Sequence, residues 1–185
     1  MNFTRKNNSI SKFYIIYKDK KLTTVDSIKF LGLILDNSLS WKKHTEAIVP
    51  HLSAATFVMR VVQPFLSLDY LKLIYYSYFH SILTYGIIFW GNTPHSNVIF
   101  KMQKKIVRTM VGIRNRDFCR EHFKRLKILP LQSQYLLSLL LFVSENVDYV
   151  RLNSKIHGFN TKNKKIYIHH LQSLQFSRGD PITLE

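Results

Sequence analysis

The sequence predicts an α+β fold that is mainly α-helical: short strands or a hairpin, then a bundle of about five helices, then an irregular tail. Two early runs of aromatic and β-branched residues favour strands. After Trp41 the apolar residues recur at steps of three and four, which is a helical period, and beyond Asn146 no period is sustained. The predicted domains are therefore residues 1–41, 42–146 and 147–185.

The strands are predicted at Phe13 to Tyr17 and at Ile28 to Leu35. The polar residues Lys18 to Lys21 are the predicted turn between them. The sequence Asp36-Asn37-Ser38 is a turn signal, so we expect the strand region to end there.

The first helix is predicted to follow Trp41, with Leu52, Ala55 and Met59 on its apolar face. Pro50 lies inside this pattern. Because proline lacks a backbone N–H donor and its ring crowds the preceding turn, we expect it to kink or split the helix.

The second helix is predicted to run from Ser67, as its N-cap, to Trp90, where Gly91 and Pro94 stop it. The stretch Leu71 to Trp90 is long enough to span a bilayer. Polar and charged residues lie within it, however, and aromatic residues replace the usual aliphatic ones. We therefore predict a core helix that is buried on all sides, and no membrane association.

Three further helices complete the predicted bundle. The third begins near Ser96 and ends near Gly112, and the fourth covers about Asp117 to Lys127. The fifth opens at Pro130 and continues through the apolar run Tyr135 to Val143. Proline suits the first turn of a helix because an N–H group there has no helical acceptor.

The charge balance predicts a polyanionic partner. There are 27 Lys and Arg residues against 11 Asp and Glu residues, so the formal net charge is +16, far more than solubility requires. The basic residues are not gathered beside one apolar anchor, so nucleic acid is favoured over a membrane surface. Cys119 is the single cysteine and no secretion signal is visible, so we expect an intracellular protein, nuclear or cytoplasmic.

The third helix carries the most informative pattern. Its cations fall within an arc of about 100°, and its apolar residues lie on the opposite side. The cations are Lys101, Lys104, Lys105 and Arg108, and the apolar residues are Ile99, Met102, Ile106 and Met110. This pattern predicts that one face packs and the other presents positive charge.

More basic residues lie near this helix and elsewhere in the chain. The predicted nucleic-acid-binding residues are Lys101, Lys104, Lys105, Arg108, Arg114, Arg116, Lys42 and Lys43. An ordinary solvated helix face is the alternative, but the net charge favours contact with phosphate groups. Aromatic residues that alternate with basic residues, as from Phe118 to Phe123, can stack on nucleobases. For any single ring, however, we favour a place in the core.

No catalytic site, metal site or cofactor is predicted. The eight histidines are scattered without other ligands at metal-binding spacing, and the acidic residues form no cluster for the Mg²⁺ ions of a nucleotidyl transferase. The sequence also contains neither a Gly-rich phosphate loop nor a Gly-x-Ser-x-Gly nucleophile turn.

A series of short motifs resembles one protein family. The motifs are Lys29-Phe30-Leu31-Gly32-Leu33-Ile34-Leu35-Asp36 with Leu39-Ser40-Trp41 and His44; Tyr85-Gly86 with Trp90-Gly91; Arg114-Asn115-Arg116-Asp117 with Cys119-Arg120-Glu121; Leu126-Lys127-Ile128-Leu129-Pro130-Leu131 with Gln134-Tyr135; and His157 with Asn160-Thr161-Lys162. In this order they resemble the end of the palm, the thumb and the connecting region of reverse transcriptases from jockey-like non-LTR retrotransposons. Pro50 is a departure from the family pattern.

The resemblance implies a fragment of an RNA-directed DNA polymerase. Residues 1–41 would be the last palm strands, and residues 42–146 would contain the thumb that holds the template and primer. In the family the paired aspartates that hold Mg²⁺ lie upstream, so this chain alone is expected to be inactive. The implied partners are an RNA–DNA hybrid or duplex, and a separate palm and fingers segment.

Two other interpretations stay open. One is a co-opted interaction module, in which the helices at 68–90 and 135–143 dock a protein partner. A large exposed apolar patch would favour it. The other is a decayed element whose product is never made or does not fold.

Overall fold

The computed structural model describes residues 15–17, 20–22, 25–114 and 117–146. This part of the chain is mainly helical and begins with short strands, which confirms the predicted fold class. Two antiparallel hairpins precede the helices. They are formed by strands β1 (Ile15–Tyr17) and β2 (Lys20–Leu22), and by β3 (Ser27–Phe30) and β4 (Leu33–Asp36).

The hairpins correct the predicted strand boundaries. The predicted strand Ile28 to Leu35 is two strands, because Leu31 and Gly32 both have positive φ, 46° and 79°, and reverse the chain. Positive φ at both central residues is the geometry of the two-residue turns that match strand twist. The predicted turn Lys18 to Lys21 was also too long, since strand β1 ends at Tyr17 and strand β2 already begins at Lys20.

The helices follow in the order of the sequence. In the described part they are α1 (Lys42–Val62), α2 (Leu68–Ile74), a π-helical segment (Tyr75–His80), α3 (Ser81–Thr84), α4 (Ile87–Trp90), α5 (Ser96–Val111), α6 (Arg120–Leu126) and α7 (Leu131–Glu145). The predicted third helix is confirmed as α5, with Gly112 in the left-handed conformation at its end. The fourth and fifth predicted helices correspond to α6 and α7.

Helix α1 corrects the expectation that Pro50 splits the first helix. The helix is continuous through Pro50, and its buried residues Leu52, Ala55 and Met59 lie on the side that packs against α5. A proline at this position leaves the carbonyl of Glu46 without its helical donor. Because Glu46 and Pro50 are both exposed, we infer that water can reach that carbonyl and the helix tolerates the loss.

The predicted second helix is interrupted and is buried on one side only. Its buried residues are spaced by four through most of the segment: Leu71, Tyr75, Phe79, Leu83, Ile87 and Trp90. A regular α-helix would rotate such a row away from the core, and the π-helical segment, with its wider turn, offsets that rotation. Other residues of the segment, including Tyr76 and Tyr78, are exposed, so the expectation of burial on all sides was wrong.

The interruption at Tyr85 and Gly86 is where the β3–β4 hairpin docks. The Tyr85 hydroxyl donates a hydrogen bond to the Leu31 carbonyl. Gly86 has φ of 60°, and a Cβ there would lie 2.7 Å from Leu33 Cδ2. The close approach and the positive φ both favour glycine at this position. The helical segment is therefore interrupted at the residues that contact the hairpin.

Among the described residues, no single helix has both the length and the apolar composition to cross a membrane. Helices α6 and α7 reach those values only when taken together as a bent pair.

Backbone contacts divide the chain into two compact units, with the boundary between Leu136 and Leu137 inside α7. The hairpins, α1 to α6 and the first residues of α7 belong to the first unit. The described part of the second unit is the remainder of α7 and Asn146, and Leu140 and Leu141 of this helix are exposed. The predicted domain limits at residues 41 and 146 stay predictions.

A buried glutamine organises the packing of α5. Gln103 is fully buried, and its Nε2 donates hydrogen bonds to the Tyr75 hydroxyl, at 3.0 Å, and to the Leu129 carbonyl, at 2.8 Å. Its Oε1 accepts the Leu131 backbone N–H at 2.8 Å. One side chain therefore joins α5 to the preceding helical segment and to both sides of Pro130.

A buried carboxylate organises the turn between β4 and α1. Asp36 accepts hydrogen bonds from the backbone N–H groups of Ser38, Ser40 and Trp41 and from both serine hydroxyls. Burial alone would raise the pKa of Asp36, but the hydrogen bonds from Ser38 and Ser40 together outweigh it, and the pKa is lowered.

We expect Gln103→Leu to lower the free energy of unfolding by about 2–4 kcal/mol. The leucine fills a similar volume but leaves the buried Leu131 N–H and Tyr75 hydroxyl without this partner, and the part-buried Leu129 carbonyl without its donor. Tyr75→Phe is the matched control, since it removes one hydroxyl and keeps both backbone bonds; we expect a loss of about 0.5–1.5 kcal/mol. Urea unfolding measures both. A Gln103→Leu variant as stable as the parent would contradict the role of the glutamine.

We expect the stability difference between the parent and Asp36→Asn to depend on pH. A carboxylate with a lowered pKa stabilises the fold above the pKa of the unfolded chain, and that stabilisation is lost as the pH falls through the folded value. At pH 7 the parent should be more stable by about 1–3 kcal/mol, because its hydrogen bonds are charge-assisted. The gap should begin to narrow below about pH 4, where an aspartate of the unfolded chain takes up a proton, and should close only as the pH falls through the lower pKa of Asp36 in the fold. A gap that stays constant between neutral and acid pH would contradict this.

Candidate nucleic-acid interface

Helix α5 separates a packed face from a basic face. Ile99, Ile106 and Met110 are buried as predicted. Met102 is only half-buried, whereas Gln103 and Val107, which were not predicted on this face, are buried. The packed face is therefore rotated slightly from the predicted one.

The four predicted cations of α5 are not equivalent. Lys101 and Lys105 are exposed, and Lys104 and Arg108 are half-buried. The ammonium of Lys104 lies 4.6 Å from the centre of the Phe100 ring, a distance at which the ring face attracts a cation. Arg108 Nε donates a hydrogen bond to the Asp117 carbonyl at 3.0 Å, which ties α5 to the segment before α6.

Lys104 and Arg108 lie along a groove of about 820 Å³ beside α5 and α6, which we call the basic groove. Of the described residues that line it, the cations are Lys104, Arg108, Arg120, Lys124 and Lys127, and the one acidic residue is Asp117. Its aromatic and apolar lining includes Phe100, Phe118, Phe123, Ile128 and Leu129. The groove thus combines five cations with several aromatic and apolar side chains.

Local hydrogen bonds build the side of the groove opposite α5. Asp117 Oδ2 accepts the backbone N–H of Arg114 at 3.0 Å and holds the turn that leads into α6. At the other end of α6, Lys127 adopts φ of 56°, and the Ile128 N–H bonds back to the Phe123 carbonyl at 3.0 Å. This left-handed helix end directs the chain along the groove.

The ion pairs near the groove leave its charge largely unneutralised. Lys124 lies 3.6 Å from Glu121 on α6, and both side chains are exposed. Such surface ion pairs contribute little to stability, and salt weakens the attraction between their charges. Across the groove lining, positive charge therefore exceeds negative charge.

Three other predicted site residues, Lys42, Lys43 and Arg114, do not line the groove. Lys42 forms an exposed ion pair with Glu46 at 3.9 Å, and the ammonium of Lys43 donates to the Ser27 hydroxyl at 3.1 Å. Arg114 is exposed beyond the end of α5, and Arg116 lies outside the described residues. Neither Lys42 nor Lys43 lines the groove.

The predicted site residues did not include Arg120, Lys124, Lys127 or Phe118, which the fold brings to the same groove as Lys104 and Arg108. The sequence indicated Phe118 only as one of several rings that can stack on nucleobases. The available signal was the position of the two lysines at the end of the predicted fourth helix. Projection of one helix at a time could not show that this end meets α5.

The described residues contain no group of three or more His, Cys, Asp or Glu side chains close enough to hold a metal ion. Cys119, which lines the groove, is buried and is a free cysteine. The cations and aromatic rings of the groove lining can recognise a ligand by charge and by stacking.

Comparisons with known proteins give no match: no family model, no curated protein and no solved structure matches the sequence.

We expect Asp117→Asn to increase the affinity of the chain for a polyanion such as heparin by roughly two- to fivefold, the effect of one partly screened charge. The asparagine keeps an oxygen acceptor for the Arg114 N–H and removes the acidic charge from the groove. Asp69→Asn, an equal charge change on α2, is the matched control. Titration with labelled heparin measures the affinities; an equal gain in both variants would show that net charge matters and the groove does not.

Proposed function

We propose that this chain binds the sugar–phosphate backbone of nucleic acid through the basic face of α5 and the basic groove. The observation that carries the proposal is the convergence of five cations and one acidic residue on the groove lining. Guanidinium groups match phosphate oxygens with two hydrogen bonds, and lysines add mobile charges. Neutralised phosphates release counterions, which favours binding at low salt.

The arrangement is suited to binding without sequence readout. Lys101, Lys104 and Lys105 lie on one helix whose other face is packed. The helical backbone therefore fixes the spacing between the points from which their side chains project. Backbone contacts position a nucleic acid but carry no direct sequence information. We therefore propose an RNA–DNA hybrid or another duplex as the partner.

We further propose that the chain derives from the end of the palm and the thumb of a jockey-like retrotransposon reverse transcriptase, and that it does not polymerise alone. The sequence motifs are the basis for this proposal. It gains support from the contact between two of them: the Leu31-Gly32 turn packs against Tyr85-Gly86. Residues that belong to separate motifs thus form one structural unit.

A second candidate function is docking of a protein partner. It is favoured by exposed apolar residues on the second half of α1, the following turn and α2: Phe57, Val61, Phe65, Leu66, Tyr70 and Leu73. Exposed apolar surface of this kind often marks an interaction site. The cations of the groove favour nucleic acid as the first candidate.

The test is binding of a blunt RNA–DNA hybrid duplex across a salt series. We expect the triple variant Lys101→Gln, Lys104→Gln, Lys105→Gln to bind more weakly and to lower the salt slope by up to about 0.9 for each lost phosphate contact. Glutamine keeps the helix propensity, and Arg108 is left in place because it holds the Asp117 carbonyl.

A charge-matched control carries Lys29→Gln, Arg60→Gln and Lys72→Gln, three cations that do not line the groove. It should keep most of the slope and affinity of the parent. Equal losses in both variants would locate the binding in net charge alone. A folded parent that does not bind the hybrid at low salt would refute the nucleic-acid proposal and favour protein docking.

A further inference from the structure

We propose that the basic groove holds an unpaired nucleotide of a single-stranded extension, with its base stacked on Phe118 and its phosphates on the cations of the groove. This inference rests on the proposed function and specifies the ligand of the same site. The groove would then bind single-stranded nucleic acid, next to the face of α5 that is proposed to bind the duplex.

Phe118 is the first observation behind the proposal. Its side chain is 95% exposed although it lines a groove whose neighbouring residues Cys119 and Phe123 are buried. An exposed phenylalanine in this position contributes little to the core. Aromatic rings that project beside cations are the usual stacking platforms for unpaired bases.

The distribution of charge around the ring is the second observation. Lys104 and Arg108 approach the groove from α5, and Lys124 and Lys127 approach it from α6 and its end. A nucleotide whose base contacts Phe118 has phosphates on both sides of its sugar. The two sets of cations provide positive charge for both phosphates.

The form of the groove is the third observation. A volume of about 820 Å³ lies within the range of sites that enclose a compact organic ligand, and one or two nucleotides are of that size. In a duplex interior each base is already stacked and paired, so its face is not available to Phe118. An unpaired base presents a free face, and stacking on it requires no particular base.

The experiment compares three labelled probes: a short blunt hairpin duplex, the same duplex with a single-stranded thymidine extension, and the same duplex with an abasic extension of equal charge. The full chain should bind the thymidine extension roughly tenfold more tightly than the abasic one, the effect expected of about one stacked base. Phe118→Ala should remove this preference. Because the lost ring carries no charge, the blunt duplex, which is held through its phosphates, should lose much less affinity than the thymidine extension.

Two further variants make the result specific. Phe118→Trp keeps an aromatic face and should retain the preference. Phe65→Ala removes another exposed phenylalanine, 83% exposed and absent from the groove lining, and should behave as the parent. Circular dichroism checks that each variant is folded, and the exposure of Phe118 predicts that its loss leaves the helix content unchanged.

The Phe118→Trp variant also gives an independent reading. Its tryptophan should be quenched by the thymidine extension and not by the abasic one. The native Trp41 and Trp90 are buried, so the parent should show little quenching.

The outcomes separate the two proposals. Equal affinity for the thymidine and abasic extensions, with the blunt duplex still bound, would overturn the stacking inference and leave the duplex proposal standing. A preference for thymidine that survives Phe118→Ala would also overturn it. Failure of the folded parent to bind any of the three probes would overturn both.

Discussion

The hydrogen bonds of Gln103 are the interaction on which the described helical structure most depends. A polar amide on the packed face of α5 is costly to bury unless its donors and acceptor are paired, and here the two backbone groups on either side of Pro130 and the Tyr75 hydroxyl pair with it. The chain that leaves α6 is thereby fixed to α5. Because Leu129 and Pro130 line the basic groove, the same bonds also fix one of its walls.

The two faces of α5 connect packing with the proposed binding. The buried face anchors the helix, so the lysines on the other face project from a packed support. The apolar lining of the groove adds a second effect. Charges of one sign along a cleft with low-dielectric walls focus the electric field and raise the local concentration of an oppositely charged ligand. Phe123 and Ile128, both buried, provide such walls beside Lys124 and Lys127.

The sequence predicted elements with a sustained period better than it predicted their interruptions. Helix α5 and the apolar pattern of α1 were evident because they repeat over several turns. The break at Gly86 was not, since it results from docking of a hairpin that lies more than fifty positions earlier in the chain. Gly32 was a local signal for a turn, but the apolar residues on both sides of it gave the pattern of one strand.

The candidate site shows the same limit. Lys101, Lys104, Lys105 and Arg108 follow from a single helical projection, which also indicates the packed face to within one position. The contribution of α6 to the groove depends on the left-handed turn at Lys127 and on the bonds around Pro130, neither of which a helical period contains. Gln103 was missed for a related reason, because a polar residue is normally assigned to the solvent side.

The docking of the β3–β4 hairpin has a consequence for how the molecule folds. The hairpin turn and the helices on either side of Gly86 are stabilised by contacts between near neighbours in sequence, and such elements form in microseconds. The contact between Leu31 and Tyr85 joins positions 54 residues apart, so it requires closure of a long segment, most of which is α1 and α2. We therefore expect the hairpin to join the helices late, after α1 has shortened the span between the two partners. Residues such as Gly32 and Gly86, which shape that contact, would then influence the rate of unfolding more than the rate of folding.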